Sequence, residues 1–144
     1  MSVTVRLANA SDLEAAFAVE PAAATDAHRR DWLARAFAGD GGRLARLAFV
    51  NGTPAGLAVM GKFFSNPFLD LIVVAHRYRR SGVAAALLAD IEAAHQGRKL
   101  FVSTNSSNTA MQALLLARGY KASGQVDNLD AGDPELFFVR LPAV

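Results

Sequence analysis

Cysteine is the residue that this chain lacks altogether, and its absence removes several classes of chemistry. Disulfides, thiolate metal sites and a cysteine nucleophile are all excluded. The chain also has no apolar run near the roughly 20 residues of a membrane span, and its N-terminus has no basic region followed by an apolar segment. We therefore expect a soluble, cytoplasmic protein with no membrane partner.

A large excess of charge of one sign is also missing. The 15 Lys and Arg residues nearly balance the 13 Asp and Glu residues, which leaves a formal net charge of +2. Nucleic-acid-binding domains usually carry a dense basic face, so the composition argues against a nucleic-acid partner. The alternative, in which the basic turn at residues 76–80 binds DNA or RNA, predicts salt-dependent binding.

The length and the hydrophobic pattern indicate a single domain over residues 1–144. With 52% hydrophobic residues among 144, the chain can bury a substantial core. In order, the segments predict a strand, two helices, three strands, a helix, a strand, a helix and two final strands, which is a mixed α/β architecture. Thr25 or Asp26 is the candidate cap of the second helix, and Asn51-Gly52 predicts a tight hairpin between the second and third strands.

The strongest functional signal lies at residues 69–88. Apolar residues 71–74 predict a buried strand, a short basic turn follows, and an alanine- and leucine-rich segment predicts a helix from about Ser81 or Gly82. Helix N-termini attract anions because their first N–H groups have no intrahelical partner and the helix dipole is positive there. Arg79, Gly82 and Ala84 add a guanidinium group and small residues, which predicts a phosphate site. The helix presents an apolar stripe to the sheet, formed by Val83, Leu87, Ile91 and Ala94.

Arg79-x-x-Gly82-x-Ala84 after such a strand, with Tyr78 before the arginine, resembles motif A of the GNAT acyl-CoA N-acyltransferase superfamily. A second family pattern, Asn-x-x-Ala-x-x-Leu-Tyr-x-x-x-Gly-Phe, is matched in part on the helix after the fifth strand. The matching positions are Asn108, Met111, Leu114, Leu115, Gly119 and Tyr120. The element order also resembles the GNAT fold from end to end, which implies a central mixed sheet of about seven strands flanked by about four helices.

The resemblance implies an acyl-CoA-dependent N-acyltransferase that moves an acetyl group from acetyl-CoA, its co-substrate, to a primary amine by direct attack on the thioester. Amides and guanidinium groups of the turn would hold the CoA pyrophosphate, and strand backbone would pair with the pantetheine arm. The implied CoA-binding residues are Val73, Val74, Arg79, Arg80, Ser81, Gly82, Val83, Ala84 and Asn108. Their alternative roles are an ordinary turn with a solvated basic face, two core valines and, at Asn108, a helix N-cap.

One position departs from the family pattern. Leu115 stands where many members have a tyrosine that is thought to protonate the departing CoA sulfur, and leucine cannot do this. A thiol with a reference pKa of about 8.5 leaves readily near neutral pH, whereas an alkyl ammonium with a pKa of about 10.4 must first lose a proton. Such an enzyme therefore needs a base more than an acid. The alternative function is a catalytically inactive GNAT-fold module that binds CoA.

Asp70 is the candidate general base. It is the single carboxylate in an otherwise apolar strand, and on the two-residue period of a strand it shares a face with Phe68 and Ile72. Several GNAT enzymes place a catalytic acidic residue on this strand, facing the acceptor cleft, and the resemblance implies the same role here. The alternative is a structural aspartate that pairs with an arginine or caps a loop.

The remaining polar residues give weaker signals. An acidic loop between the last two strands could attract a cationic amine or could serve only as a turn. Its carboxylates are Asp127, Asp130, Asp133 and Glu135. The three histidines have no nucleophile beside them in the sequence, so no catalytic triad is assigned, and no metal site is expected. The acceptor is expected to be a small-molecule or peptide amine, and the resemblance leaves a homodimer open.

Overall fold

The computed structural model describes residues 2–143, which form a seven-stranded mixed sheet and five α-helices. The strands are β1 (Val3–Ala8), β2 (Leu44–Val50), β3 (Thr53–Phe63), β4 (Asn66–Val74), β5 (Leu100–Asn105), β6 (Lys121–Val126) and β7 (Glu135–Arg140). The helices are α1 (Leu13–Val19), α2 (Ala22–Thr25), α3 (Ala27–Phe37), α4 (Val83–Ala94) and α5 (Thr109–Ala117). The strand order is β1-β2-β3-β4-β5-β7-β6, which confirms the predicted α/β fold class.

The helical region between β1 and β2 holds three helices where the sequence predicts two. Asp26 explains the break, because its backbone is extended, with ψ of 109°. Its side chain accepts hydrogen bonds from the N–H groups of His28 and Arg29, at 3.0 and 3.2 Å. Asp26 is therefore the cap of α3, one of the two predicted candidates, and the four residues of α2 end just before it.

The described residues form two compact units, residues 2–61 with 70–94 and residues 62–69 with 95–143. The single domain expected over 1–144 stays a prediction. In the first unit, β1, β2 and β3 pair antiparallel. Asn51 and Gly52 turn the β2–β3 hairpin with φ values of 50° and 82°. Positive φ at both turn residues is the geometry that Asn-Gly favours, so the predicted hairpin is confirmed.

Helix α4 packs on the sheet within the first unit. It buries Val83, Leu87 and Ile91 as predicted, but Ala94 is exposed because it is the last residue of the helix. Gly56 of β3 lets the helix approach closely, since a Cβ atom there would lie 2.6 Å from Val83 Cγ1. The close contact between Val83 and Gly56 therefore holds the N-terminal end of α4 against the sheet.

The second unit is built on β5 and β7. The first half of β4 pairs in parallel with β5, at Phe68↔Phe101 and Leu69↔Val102, and β7 pairs antiparallel with both β5 and β6. Aromatic rings pack together in this unit, with centroids between 5.4 and 6.1 Å apart. They belong to Phe63, Phe68, Phe101 and Phe137. Such packing stabilises the unit through buried area and ring geometry.

Arg46 of β2 is a charged residue inside the first unit. Its side chain is 4% exposed, and its Nε donates to Asp90 Oδ2 of α4 at 2.8 Å. Its Nη1 is buried and has no hydrogen-bond partner among the described residues. A donor that leaves water without gaining a partner is destabilising. We infer that Arg46 stabilises the fold less than an apolar side chain of similar length would.

We expect Arg46→Met to leave the free energy of unfolding unchanged or to raise it, because it removes the unpaired donor and leaves Asp90, which is 45% exposed, in contact with water. Asp90→Ala should instead lower it by about 1–3 kcal/mol, because the buried guanidinium then loses its one partner among residues 2–143. Urea unfolding of both variants measures the difference. A larger loss in Arg46→Met than in Asp90→Ala would show that the arginine is net stabilising.

Candidate active site

The basic turn between β4 and α4 has the backbone shape of an anion site. A short helical turn (His76–Tyr78) follows β4, and α4 begins at Val83. Arg80 and Gly82 both adopt left-handed conformations, with φ of 64° and 79°. A non-glycine residue in this region stores backbone strain of about 1–3 kcal/mol, and such residues cluster at functional sites. Left-handed residues also turn neighbouring N–H groups to one side, as in anion-binding nests.

The side chains around this turn are cationic and have no counter-charge. Arg77, Arg79 and Arg80 are exposed, and none forms an ion pair within residues 2–143. Arg77 lies over the ring of Tyr78, 4.8 Å from its centroid. Helix α4 has no acidic residue in its first turn. A Cβ atom placed on Gly82 would have no atom within 4 Å, so there is open space beside the turn. Donors, charge and space therefore fit a pyrophosphate.

The other predicted residues of the turn offer their backbone more than their side chains. Ser81 and Ala84 are half-buried, and Val83 is 1% exposed. Val83 anchors α4 in the core, so only its amide can serve a ligand. The first-turn amides of α4 have no intrahelical partner, and they remain available beside the exposed guanidinium groups.

Val73 and Val74 end β4, directly before the basic turn. Their side chains are half-buried, and Val73 packs against the hydrophobic core cluster. Successive N–H groups of a strand point to opposite edges, so the amides of these two residues face opposite edges of β4. The side chains therefore serve the core, and the contact of this backbone with the pantetheine arm stays a prediction.

Asp70 lies in the middle of β4, with its side chain 18% exposed. Arg43, directly before β2, donates from Nε to Asp70 Oδ2 at 3.0 Å. The same guanidinium lies over the indole of Trp32, 5.6 Å from the ring centroid. Asp70 Oδ1 accepts no hydrogen bond from any residue in 2–143. The aspartate–arginine pair expected from the structural alternative is present, and it leaves one carboxylate oxygen free.

Gly61 of β3 provides the room for this carboxylate. A Cβ atom at Gly61 would collide with the Asp70 carboxylate, whose Cγ lies only 2.9 Å from that position. The backbone of Gly61 is not left-handed, so space rather than conformation requires glycine here. No sequence pattern marks Arg43 or Gly61, because both meet Asp70 only through long-range packing.

A cleft of about 440 Å³ opens beside Asp70 within the first unit. It is lined by Glu20, Ala23, His28, Arg29, Trp32, Leu33, Asp70 and Leu71. Its volume lies within the range of about 300–1,000 Å³ that is usual for small-molecule sites. The sequence indicates Asp70 but not Glu20 or Arg29, because the helical region before β2 carries no motif.

In the second unit, two residues of the second motif take structural positions. Asn108 caps α5 by accepting a hydrogen bond from the Met111 N–H at 3.1 Å, so its capping role is confirmed. Its contact with CoA stays a prediction. Leu115 is fully buried. The position where the family pattern has a tyrosine is therefore a core position in this chain, and it offers no proton donor.

Two carboxylates of the acidic loop hold the loop in place. Asp133 accepts hydrogen bonds from Ser106 Oγ at 2.9 Å, Ser107 N at 2.9 Å and Ser107 Oγ at 2.6 Å. Asp130 accepts one from Asn105 Nδ2 at 2.9 Å. The hydroxyl of Ser107 is the main cause that lowers the pKa of Asp133. These bonds favour the turn interpretation for this pair of aspartates.

The remaining described residues add neither a metal site nor a membrane span. Residues 2–143 contain no group of three or more His, Cys, Asp or Glu side chains that could hold a metal ion. No helix in the described part of the chain is long and apolar enough to cross a membrane.

Known proteins similar to this chain point to one family. The model of the acetyltransferase (GNAT) family matches residues 8–120. A GNAT-family acetyltransferase from Bacillus cereus is 30% identical, with 100% of both chains covered and a TM-score of 0.84. A ribosomal-protein-alanine N-acetyltransferase from Brucella melitensis shares the fold at 23% identity and a TM-score of 0.74, covering 96% of this chain and 99% of that one. An acetyltransferase from Salmonella typhimurium, solved with acetyl-CoA, shares the fold at 18% identity and a TM-score of 0.71. The match covers 98% of this chain and 94% of that one. No curated protein matches the chain significantly.

We expect the protein to bind acetyl-CoA, and Arg79→Ala to weaken binding about tenfold or more, since a hydrogen bond to a charged group contributes about 1.5–3 kcal/mol. Gly82→Asp should weaken binding further, because it places a carboxylate at the anion site and a side chain on left-handed backbone. Isothermal titration calorimetry measures both affinities. Arg35→Ala is the matched control, because Arg35 is a 58% exposed arginine of α3, paired with Asp31.

Thermal unfolding of each variant shows whether the fold is retained. Binding that is absent in the unsubstituted protein, or lost equally in Arg35→Ala and Arg79→Ala, would refute the anion site at the basic turn.

The lowered pKa of Asp133 predicts a pH-dependent contribution to stability. Its hydrogen bonds should stabilise the fold above the ordinary carboxyl pKa of 3.8, and this contribution should disappear as the pH falls through the lower folded-state pKa. We therefore expect Asp133→Asn to be destabilised at neutral pH, and the difference from the unsubstituted protein to shrink at a pH below 3.8. Urea unfolding at both pH values measures it. An equal difference at both would mean that the charge of Asp133 contributes nothing.

Proposed function

Given that the chain belongs to the acetyltransferase (GNAT) family, we propose that it transfers the acetyl group of acetyl-CoA to a primary amine, which attacks the thioester directly. The family consists of acyl-CoA-dependent N-acyltransferases that use acetyl-CoA as co-substrate. The observation that carries the proposal is the arrangement along β4. The Asp70 carboxylate opens to a cleft, and the same strand runs on to the basic turn.

The basic turn is proposed to hold the CoA pyrophosphate. Arg79 and Arg80 supply positive charge with no counter-charge in residues 2–143, and the amides at Gly82, Val83 and Ala84 supply donors at the helix N-terminus. Bound acetyl-CoA supplies the activated acetyl thioester. The backbone N–H of Val73 or Val74 in β4 would donate to the carbonyl oxygen, where negative charge develops during attack.

The spacing along β4 suits this division of roles. Val73 lies three positions after Asp70, which corresponds to about 10 Å of strand. An amine and a thioester carbonyl, with or without one water molecule, fit within that length. The strand can therefore present two groups to the same pair of reactants: the Asp70 carboxylate as proton acceptor and a backbone N–H as hydrogen-bond donor to the thioester carbonyl. The packing of the strand holds both groups in fixed positions.

Asp70 is proposed to act as the general base. An alkyl ammonium with a pKa of about 10.4 must lose a proton before its nitrogen can attack. The Oδ1 atom of Asp70, which has no described partner, would accept that proton directly or through one water molecule. Arg43 holds the other oxygen, Oδ2, and so fixes the direction of the carboxylate. The nitrogen then bonds to the acetyl carbon and loses its second proton to water, the C–S bond breaks with its electron pair on sulfur, and Asp70 returns the first proton to solvent.

The leaving thiolate needs no acid from the protein in this scheme. Leu115 is buried and has no proton to give, and a thiol with a reference pKa of about 8.5 can take its proton from water. The rival function is a module that binds CoA without turnover. Kinetics of the Asp70 and Gly61 variants separate the two functions.

We expect Asp70→Asn to bind acetyl-CoA as tightly as the unsubstituted protein and to lower kcat/KM by about 10²–10⁴-fold, the usual range for loss of general base catalysis. Gly61→Ala should lower kcat/KM in the same direction, because its Cβ displaces the carboxylate while every charge is kept. CoA release with a panel of primary amines, followed by a thiol reagent, measures the rates.

Gly56→Ala is the contrasting variant, because Gly56 is another glycine of β3 without left-handed backbone. Its Cβ would meet Val83 at 2.6 Å, so it should weaken acetyl-CoA binding and leave the pH dependence of kcat unchanged. Full turnover by Asp70→Asn would assign the base to another group. An intact protein that binds acetyl-CoA but turns over no amine would instead be the binding module.

A further inference from the structure

The charges that line the cleft are balanced. Asp70 is already paired with Arg43 at 3.0 Å. The charged side chains that remain are the half-buried carboxylate of Glu20 and the guanidinium of Arg29. Within residues 2–143 Glu20 has no ion-pair or hydrogen-bond partner for its side chain. A polyamine needs an excess of negative charge around it, and this cleft does not offer one.

Arg29 keeps its hydrogen-bonding capacity. Its nearest carboxylate oxygen is Asp26 Oδ2, 3.9 Å from Nε, which is too far for a hydrogen bond. That aspartate is also engaged at the amides of His28 and Arg29, where it caps α3. The guanidinium therefore has five donors in a planar fork, the geometry that matches a carboxylate or a phosphinate with two parallel hydrogen bonds.

The rest of the cleft is apolar. Ala23 and Leu33 are each 2% exposed and form its floor, and Leu71 and the indole of Trp32 continue that surface. A polyhydroxylated amine would leave hydroxyl groups unpaired against these side chains, which is unfavourable. A compact aliphatic or aromatic group would instead be buried there.

Building on the function proposed above, we propose that the acceptor is a small zwitterionic amine with an apolar side chain, such as a free amino acid. Its amine lies at Asp70, its anionic group binds Arg29, and its side chain rests on Trp32 and the apolar floor. The negative charge of Glu20 offsets the positive charge of Arg29 in the cleft. An acceptor with one anionic group is therefore favoured over an acceptor with two. The anionic group distinguishes this class of acceptor from polyamines and from the lysine side chains of proteins.

The test pairs one change in the acceptor with one change in the protein. Leucine and phenylalanine are compared as acceptors with their carboxamides, which keep the amine and the side chain but lack the anion. We expect kcat/KM to be about tenfold or more higher for the free carboxylates, from one charge-assisted pair. Arg29→Gln should reduce that preference to near unity. Arg35→Gln is the matched control, because Arg35 is 58% exposed on the same helix against 60% for Arg29, pairs with an aspartate, and does not line the cleft.

Three results would overturn the inference. The first is a carboxamide that reacts as well as the carboxylate, the second is an equal loss for both acceptors in Arg29→Gln, and the third is turnover confined to putrescine or spermidine. Each would leave the proposed acetyl transfer standing. If no amine is acetylated, the proposed function fails. The inference about the acceptor can then still be tested by calorimetric titration of leucine and leucinamide into the CoA-bound protein. Preferential binding of leucine, lost in Arg29→Gln, would support it, and equal or absent binding would contradict it.

Discussion

The ion pair between Arg43 and Asp70 is the interaction on which the site depends. A carboxylate in an apolar strand is costly to bury without a partner, and Arg43 supplies that partner at 3.0 Å from the start of β2. The indole of Trp32 covers the guanidinium, and Gly61 leaves the space in which the carboxylate lies. One oxygen of Asp70 is therefore held by Arg43, and the other is kept for chemistry.

The reactive groups are concentrated on β4 and the turn that follows it. Rigid strand backbone holds Asp70 and the amides of Val73 and Val74, whereas the turn carries the strained residue Arg80, with φ of 64°. Strain of this kind persists only where the surrounding structure fixes it, and the close packing of α4 at Gly56 does so here. The proposed pyrophosphate site and the proposed general base thus lie on different elements, so a substitution can alter one of them without the other.

Short-range patterns made much of this structure predictable. The hairpin at Asn51-Gly52, the cap at Asp26 and the strand–turn–helix around Gly82 each depend on a few neighbouring residues, and each lies where the sequence indicates. The partners of Asp70 could not be read in this way, because Arg43 and Gly61 reach it only through sheet packing. The same holds for Glu20 and Arg29, which come to the cleft through the arrangement of three helices. Leu115 shows the limit of a motif, since a catalytic position in the family pattern is a core position here.

A crystal structure of the protein with a non-hydrolysable acetyl-CoA analogue would test the central claim most directly. We predict that the pyrophosphate lies on the amides of residues 82–84 and that the carbonyl oxygen accepts a hydrogen bond from the backbone N–H of Val73 or Val74. The acetyl carbon should then lie within one water molecule of Asp70 Oδ1. An acetyl group bound away from β4, or a water chain that leads to Glu20 instead of Asp70, would contradict it.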